Sequence, residues 1–186
     1  MEHVAFRAMK DGTREEYDFL GRLEEEWAGG HADRVLAAMT LLDGSMGGYQ
    51  VSRLTHCLQT ATRAERDNAD DEMVFAALIH DIGDVLAPRN HAAIAVEIMR
   101  PYVREEVTWV TEKHGIFQDY YYGHFVGRDR NAREKYRGHR WFESCAYFCE
   151  HWDQAAFDSD YDTRPLEHYA PLVEDILSRP AWRETG

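Results

Sequence analysis

The chain has 186 residues, a formal net charge of −13 at pH 7, and 44% hydrophobic and 12% aromatic residues. This apolar content suits one compact domain and excludes a wholly disordered chain, while the excess of acid disfavours broad binding to nucleic acid or anionic lipid. No apolar run approaches the roughly 20 residues that a bilayer requires, and the beginning of the chain is rich in glutamate where a signal peptide would be apolar. We therefore expect a cytoplasmic protein with neither a nucleic acid nor a membrane as partner.

The spacing of apolar residues predicts helices almost throughout, and no alternating strand pattern competes with them. The predicted helices cover residues 14–27, 32–42, 52–66, 71–86, 90–100, 103–113, 141–154 and 165–178. The expected fold class is all-α, a helical bundle formed by a single domain, 1–186. Residues 1–45 are expected to form an N-terminal helical hairpin, 46–156 the core that carries the site, and 157–186 a C-terminal helix.

One predicted helix is apolar on every side. Its run Met73-Val74-Phe75-Ala76-Ala77-Leu78-Ile79 has no polar face, which is typical of the central element of a domain. The polar residues that follow, His80 and Asp81, are therefore expected to point into the interior. Because an unpaired buried carboxylate costs several kcal/mol, Asp81 must either form an ion pair or bind a metal ion. The pair alone leaves both solutions open.

Three further histidines occupy comparable places. His56 lies in the first turn of one predicted helix, His91 begins another, and His114 ends a third. An antiparallel bundle can bring these residues together with His80 and Asp81, and Asp153 can add a second carboxylate. Four imidazoles and two carboxylates without a thiolate suit two ions of iron, manganese or zinc, and Asp81 could bridge them. Residues 115–138, aromatic and basic, are a plausible wall for such a site because they are too long for an idle connection.

These residues carry a resemblance to a known superfamily. His56, the pair His80-Asp81 in LIHDIGD and Asp153 in HWDQ follow the H…HD…D pattern of HD-domain proteins, and His91 and His114 match the two-metal branch. The resemblance covers about residues 47–153. The stretch GGYQVSRLTHCLQTA and the ligand spacing look most like the mixed-valent diiron oxygenases that cleave organophosphonates, with myo-inositol oxygenase more distant.

The resemblance implies a cofactor of two iron ions, Fe(II)/Fe(III), with O2 as co-substrate. It places His56, His80, Asp81 and Asp153 on one iron, while Asp81 bridges to a second iron that His91 and His114 also hold. The implied reaction is cleavage of the C–P bond of a small 1-hydroxyphosphonate.

The chain departs from the aminohydroxyethylphosphonate-cleaving relatives at several positions. Met46 and Tyr49 replace a tyrosine and a glutamate, Gln118 replaces a lysine, and Asp84 stands where many HD proteins have His or Lys. Because Tyr49 offers an aromatic face instead of a carboxylate, it suits a quaternary ammonium better than a primary one. The expected substrate is therefore (R)-1-hydroxy-2-(trimethylammonio)ethylphosphonate, giving glycine betaine and phosphate. Asp84 and Tyr49 are the candidate catalytic residues.

Substrate contacts are expected from the aromatic and basic segment. Residues 127–140 contain six basic and two acidic residues in an otherwise acidic chain, so guanidinium groups could face the phosphonate. The alternative is a solvated face whose arginines pair with acidic neighbours. The candidate substrate-binding residues are Tyr49, Gln118, Tyr121, Arg130, Asn131, Arg133, Arg137 and His139.

Two other functions remain open. The same metals could activate water in an HD-type phosphohydrolase that acts on a phosphomonoester or nucleotide, or the chain could be an HD module that binds a ligand without catalysis. The complete ligand set argues against the second. The sequence leaves a monomer and a homodimer equally possible.

Overall fold

The computed structural model describes residues 2–181. Within them the chain forms eight α-helices and no strand, which confirms the predicted all-α class. The helices are α1 (Arg14–Gly29), α2 (His31–Thr40), α3 (Arg53–Arg66), α4 (Asp71–Ile79), α5 (His91–Met99), α6 (Glu105–Tyr122), α7 (Phe142–Tyr147) and α8 (Leu166–Leu177). A π-helix (Phe148–Asp153) continues α7, and short 3-10 helices lie at Met9–Asp11, Leu41–Gly44, Ile82–Val85, Gly123–Val126 and Ala132–Tyr136. None of the helices in this range could span a membrane.

Helix α4 forms the centre of the bundle, as its uniformly apolar sequence predicts. All of its residues from 73 to 79 are buried. The Asp70 side chain caps its N-terminus by accepting a hydrogen bond from the Met73 backbone N–H at 3.1 Å, which satisfies one of the donors that a helix start leaves unpaired. Helix α3 packs along α4 on one side, and α6 and α8 contact it on others.

The prediction of one helix over 71–86 was wrong, because α4 ends at Ile79. Asp81 leaves helical geometry, with φ −104° and ψ 9°, and the chain turns into the 3-10 helix Ile82–Val85. After this break the Asp81 side chain lies buried in the interior of the bundle. The short 3-10 helix then packs against α5.

The prediction that a helix ends at Lys113 was also wrong, because α6 continues to Tyr122. Its buried residues Val107, Val110, His114 and Phe117 follow one another at spacings of three and four, so a single apolar face runs past residue 113. Gly115 does not stop the helix. His114 consequently lies within α6 rather than at its end, and the aromatic segment expected as a long connection begins as helix.

The extension of α6 can be tested with two phenylalanines. Phe117 is fully buried, whereas Phe125, beyond the helix, is 80% exposed. We expect Phe117→Ala to lower the free energy of unfolding by about 3–5 kcal/mol, because it leaves a cavity in the core, and Phe125→Ala to change it by less than about 0.5 kcal/mol. Urea denaturation followed by circular dichroism measures both. Equal effects of the two substitutions would contradict the placement of Phe117 in the core.

Candidate metal centre

The six predicted metal ligands converge at one point inside the bundle. His56 comes from the first turn of α3, His91 from the start of α5 and His114 from the middle of α6, while His80 and Asp81 follow α4 and Asp153 ends the π-helix. Five of the six residues are buried, and the His91 side chain is 26% exposed. Five separate elements therefore supply one site, and three groups of these side chains are close enough to hold a metal ion.

Four side chains form a first donor group. His56 Nε2 lies 3.1 Å from His80 Nε2 and 3.3 Å from Asp153 Oδ1. Asp81 Oδ2 lies 3.6 Å from His56 Nε2 and 3.5 Å from His80 Nε2. Two imidazole nitrogens and two carboxylate oxygens thus surround one position, as the resemblance implies for one iron.

The other oxygen of Asp81 belongs to a second donor group. Asp81 Oδ1 lies 3.2 Å from His91 Nε2 and 3.5 Å from His114 Nε2, and these two nitrogens are 3.3 Å apart. Because its two oxygens face different groups, Asp81 is placed to bridge two ions.

Backbone carbonyls fix which nitrogen of each histidine faces the site. The Nδ1 atoms of His56, His80, His91 and His114 lie 3.0, 2.9, 3.2 and 2.6 Å from the carbonyl oxygens of Ala156, Ala77, Pro88 and Thr111, respectively. A carbonyl oxygen only accepts, so each Nδ1 carries its proton and donates it. Each Nε2 is then left with a lone pair that points into the site, which is the usual arrangement for a histidine that binds metal.

This arrangement requires positive charge at its centre. Nitrogen lone pairs and carboxylate oxygens repel one another across 3.1–3.7 Å, and the buried Asp153 Oδ2 has no hydrogen-bond partner within residues 2–181. Two metal ions would relieve the repulsion and use all six ligands. The donor set, with imidazole and carboxylate but no thiolate, is suited to iron.

The pKa values of His80 and His114 reflect the balance between burial, which disfavours a charged imidazole, and the nearby carboxylates, which favour it. Burial lowers the pKa of His80 to about 4 despite the nearby carboxylates, so this imidazole is neutral and free to bind a metal at neutral pH. For His114, burial acts in the same direction but is outweighed by the hydrogen bond to Asp81 and the charge of Asp153, which together raise the pKa to about 9. Without a metal ion, a proton on His114 would supply the missing positive charge.

Arg53 and Asp84 form a layer behind the bridging carboxylate. Arg53 Nη1 lies 3.2 Å from Asp81 Oδ2, and its Nε lies 3.0 Å from Asp84 Oδ2. Asp84 Oδ1 in turn lies 3.2 Å from His91 Nδ1, so this carboxylate helps to orient the His91 ring. Sequence reasoning missed Arg53, although it precedes His56 by three residues and must lie on the same face of α3.

The backbone of the 3-10 helix Ile82–Val85 lies unusually close to His91. A Cβ atom added at Gly83 would lie 2.4 Å from the His91 carbonyl oxygen, so only glycine permits this approach. Gly83 therefore fixes the start of α5, and with it His91, beside Asp81.

A cavity of about 420 Å³ opens onto the metal centre. Tyr49, Gln118 and Tyr121, all predicted substrate contacts, line it. The lining residues that were not among the predicted site residues are Arg53, Gly115, Tyr122, Gln154 and Phe157. Phe157 follows the last predicted ligand by four residues, and its ring stacks on His56 with 4.4 Å between centroids. Asp84, predicted as catalytic, is not among the lining residues and contacts His91 and Arg53 instead.

The other predicted substrate contacts belong to residues 127–140, the basic segment, and do not line the cavity. Arg133 lies 3.6 Å from the ring centre of Tyr120 and close enough to Tyr121 to interact with its hydroxyl, and Arg130 also lies over Tyr120. Arg137 pairs with Glu134 at 2.7 Å.

The remaining two predicted contacts, His139 and Asn131, also have their contacts outside the cavity. The ring of His139 stacks on Trp109, and the Asn131 backbone N–H donates to Asp129. Most of the basic segment therefore packs outside the cavity, where its cations face tyrosine rings and acidic neighbours, and Arg133 reaches the wall only through Tyr121.

Comparison with known proteins supports a diiron centre. Residues 11–96 match the family model described as myo-inositol oxygenase, a family of HD-domain diiron oxygenases that use O2. The match includes His56, His80, Asp81 and His91 and ends before His114 and Asp153. A search of curated proteins finds no match to the chain. Together with the donor set, the family match confirms the predicted cofactor of two iron ions used with O2.

The bridging role of Asp81 predicts how metal content responds to substitution. We expect Asp81→Ala to lose both irons, because this carboxylate serves both donor groups, and His91→Ala to retain about one. Asp160→Ala, which removes an exposed carboxylate outside the site, should keep two. Elemental analysis of the purified variants, with circular dichroism to verify folding, measures the outcome. Two irons in folded Asp81→Ala would contradict the bridge.

Proposed function

We propose that the protein is an iron-dependent oxygenase that cleaves the C–P bond of a small 1-hydroxyphosphonate with a quaternary ammonium group, (R)-1-hydroxy-2-(trimethylammonio)ethylphosphonate, to glycine betaine and phosphate. The family match supports the oxygenase activity. The observation that carries the choice of substrate is the cavity wall. Its aromatic residues adjoin the metal centre, and among the described residues that line it the acidic ones are the metal ligands Asp81 and Asp153.

The aromatic part of the wall suits a methylated ammonium. Tyr49, Tyr121, Tyr122 and Phe157 all line the cavity, and Tyr49 stacks on Phe157 with 4.9 Å between centroids. A primary ammonium carries three N–H donors and needs acceptors, whereas a trimethylammonium has none and is attracted by ring faces. The lack of a carboxylate beyond the metal ligands therefore favours the methylated group.

The anionic phosphonate end of the substrate needs positively charged partners. Among the described residues that line the cavity, Arg53 is the one with a permanent positive charge. Its guanidinium already contacts Asp81 and Asp84, so it offers the phosphonate only its remaining donors. The amides of Gln118 and Gln154 can donate further hydrogen bonds. This assigns the anion to Arg53 and the metal centre, in place of the predicted Arg130, Arg133 and Arg137.

The protein's own residues would prepare the reaction in three ways. The six ligands would hold the iron pair, which supplies the oxidation chemistry with O2 when it is bound. The aromatic wall orients the substrate by its ammonium end. Asp84 and the carbonyls behind the histidines hold each imidazole in the orientation that binding requires.

A polyol such as inositol is the second candidate substrate. The family model that matches residues 11–96 is named for myo-inositol oxygenase, and the amides of Gln118 and Gln154 with the tyrosine hydroxyls can hydrogen-bond to several hydroxyl groups. An uncharged polyol, however, would make no use of the ring faces as cation receptors.

The substrate assignment is tested directly by turnover. The iron-loaded protein is supplied with O2 and, separately, with the trimethylammonio phosphonate, its primary amine analogue, myo-inositol and a phosphomonoester. We expect phosphate release coupled to O2 consumption, with the trimethylammonio compound as the best substrate. Oxidation of myo-inositol alone would establish the polyol alternative, and phosphate release from the phosphomonoester without O2 would establish a phosphohydrolase.

Tyr49 tests the aromatic wall. The ring is half exposed, and the Arg53 guanidinium lies 5.2 Å from its centre, so only part of its electron-rich surface is available to a substrate. We expect Tyr49→Leu to lower kcat/KM for the trimethylammonio substrate about tenfold, because a cation–π contact contributes about 1–2 kcal/mol.

Tyr49→Phe is the matched control for this experiment. It keeps the ring and should retain kcat/KM within about twofold, since the hydroxyl is not needed for a cation–π contact. Steady-state kinetics of O2 consumption with both variants measures the difference. If Leu and Phe have the same effect, the ring does not contact the ammonium group.

A further inference from the structure

Asp153 lies on a rare backbone conformation. It is the last residue of the π-helix Phe148–Asp153, in which the Gln154 backbone N–H donates to the Cys149 carbonyl, five residues earlier, at 3.0 Å. In an α-helix this N–H would bond to Glu150. Here the Glu150 carbonyl instead accepts a hydrogen bond from the Gln154 side-chain amide at 2.9 Å. Short π-helical turns are uncommon and occur frequently at functional sites, so something must select this conformation.

One carboxylate outside the metal centre hydrogen-bonds to residues at both ends of the π-helix. Asp67 Oδ2 accepts a hydrogen bond from the Tyr147 hydroxyl at 2.7 Å and another from the Trp152 indole N–H at 3.0 Å. Tyr147 is the last residue of α7, and Trp152 immediately precedes Asp153. Nothing in the metal centre or the cavity wall requires these contacts.

The spacing of the two donors matches the π conformation. Residues five apart in an α-helix point about 140° away from each other, because each residue turns the helix by about 100°. The i to i+5 hydrogen bonds of a π-helix bring such residues onto nearly the same side. A single carboxylate oxygen can therefore bind Tyr147 and Trp152 together only while the intervening residues stay in the wider helix.

Asp67 is itself fixed to the helix that carries His56. It is the C-cap of α3, and Asn68 follows with φ 59°. The Asn68 N–H bonds to the Glu65 carbonyl and the Ala69 N–H to the Ala64 carbonyl, which is the Schellman pattern of a well-defined helix end. Helix α3 thus holds a metal ligand, His56, in its first turn and the partner of Trp152 at its end.

From this geometry we infer that Asp67 is a positioning residue for the metal centre. By binding Tyr147 and Trp152 it keeps residues 148–153 in the π conformation and holds Asp153 against His56 and His80. Loss of the two hydrogen bonds lets this segment return to an α-helix, which rotates Asp153 away from the first donor group. The ligands of the second donor group, His91 and His114, lie on α5 and α6. The π-helix contacts this group through the Cys149 thiol, which hydrogen-bonds to the His114 backbone carbonyl at 3.5 Å and not to a ligating nitrogen. The inference rests on the proposed metal centre and adds a residue that touches neither metal nor substrate.

The experiment titrates the metal-free protein with Co²⁺ and follows the visible absorption of the bound ion. Asp153→Ala identifies the signal of the first donor group. We expect Asp67→Ala to weaken Co²⁺ binding at that group about tenfold, the lower end of the range for removing a direct outer partner of a metal ligand, because Asp67 acts on Asp153 through its neighbour Trp152. The His91 and His114 group should stay unchanged. Asp67→Asn should bind within about threefold of the unmodified chain, because its amide oxygen can still accept both hydrogen bonds.

A control separates this effect from a general loss of stability. Asp162→Ala removes the exposed partner of Arg66, the residue before Asp67, at a contact distance of 2.6 Å, and leaves the π-helix untouched. It should change neither Co²⁺ site. Trp152→Phe removes the indole donor, together with part of the ring, and leaves the Tyr147 hydrogen bond in place. It should weaken the first donor group to a smaller extent, which provides a second test if Asp67→Ala does not fold.

The outcomes separate the two proposals. Two Co²⁺ sites in the unmodified chain, with unchanged affinities in Asp67→Ala or in Trp152→Phe, would overturn the positioning role and leave the metal centre intact. Equal weakening of both sites in Asp67→Ala would also overturn it, because the effect would then be general. An unmodified chain that binds no Co²⁺ would overturn the metal centre and this inference together.

Discussion

Repulsion among buried donor atoms is the constraint on which the rest of the structure depends. Four imidazole lone pairs and the oxygens of Asp81 and Asp153 meet within the bundle, and their convergence is stable only around positive charge. Several elements of the fold meet at this point. Two helices begin there, α4 ends there, α6 crosses it and the π-helix supplies the last carboxylate. Carbonyl groups behind each histidine then direct every Nε2 inward, so metal binding and backbone geometry are coupled.

The two donor groups have different supports. The group with His56 and His80 lies deep in the core, and its distinctive support is the π-helix. The group with His91 lies closer to solvent and is held by Asp84, by Arg53 and by the close approach of Gly83. Such asymmetry is useful in a centre whose two ions have different tasks, because an ion near the cavity must keep positions free for exogenous ligands.

The cavity determines what the metal centre can act on. Aromatic rings and two glutamine amides form much of its wall, and Arg53 supplies positive charge, to which metal ions held by the six candidate ligands would add. The most basic part of the chain does not line this cavity, since its arginines face tyrosine rings and acidic neighbours. A small zwitterion whose anionic end binds at the metals and whose cationic end meets the rings fits this distribution of charge.

The sequence by itself predicted the all-α class and the six residues whose donor atoms converge in the structure. A helix without a polar face forces its terminal His80 and Asp81 inward, and the other four residues lie where a helical bundle can bring them to the same point. The sequence also located Tyr49, Gln118 and Tyr121, which line the cavity. Only the tertiary structure decided that α6 runs past Gly115, that Asp153 lies on a π-helix, and that Arg53 faces the site while Arg137 and His139 do not. Local periodicity reports which side of a helix is buried, but the packing of neighbouring helices decides how far a helix continues and which charge finds which partner.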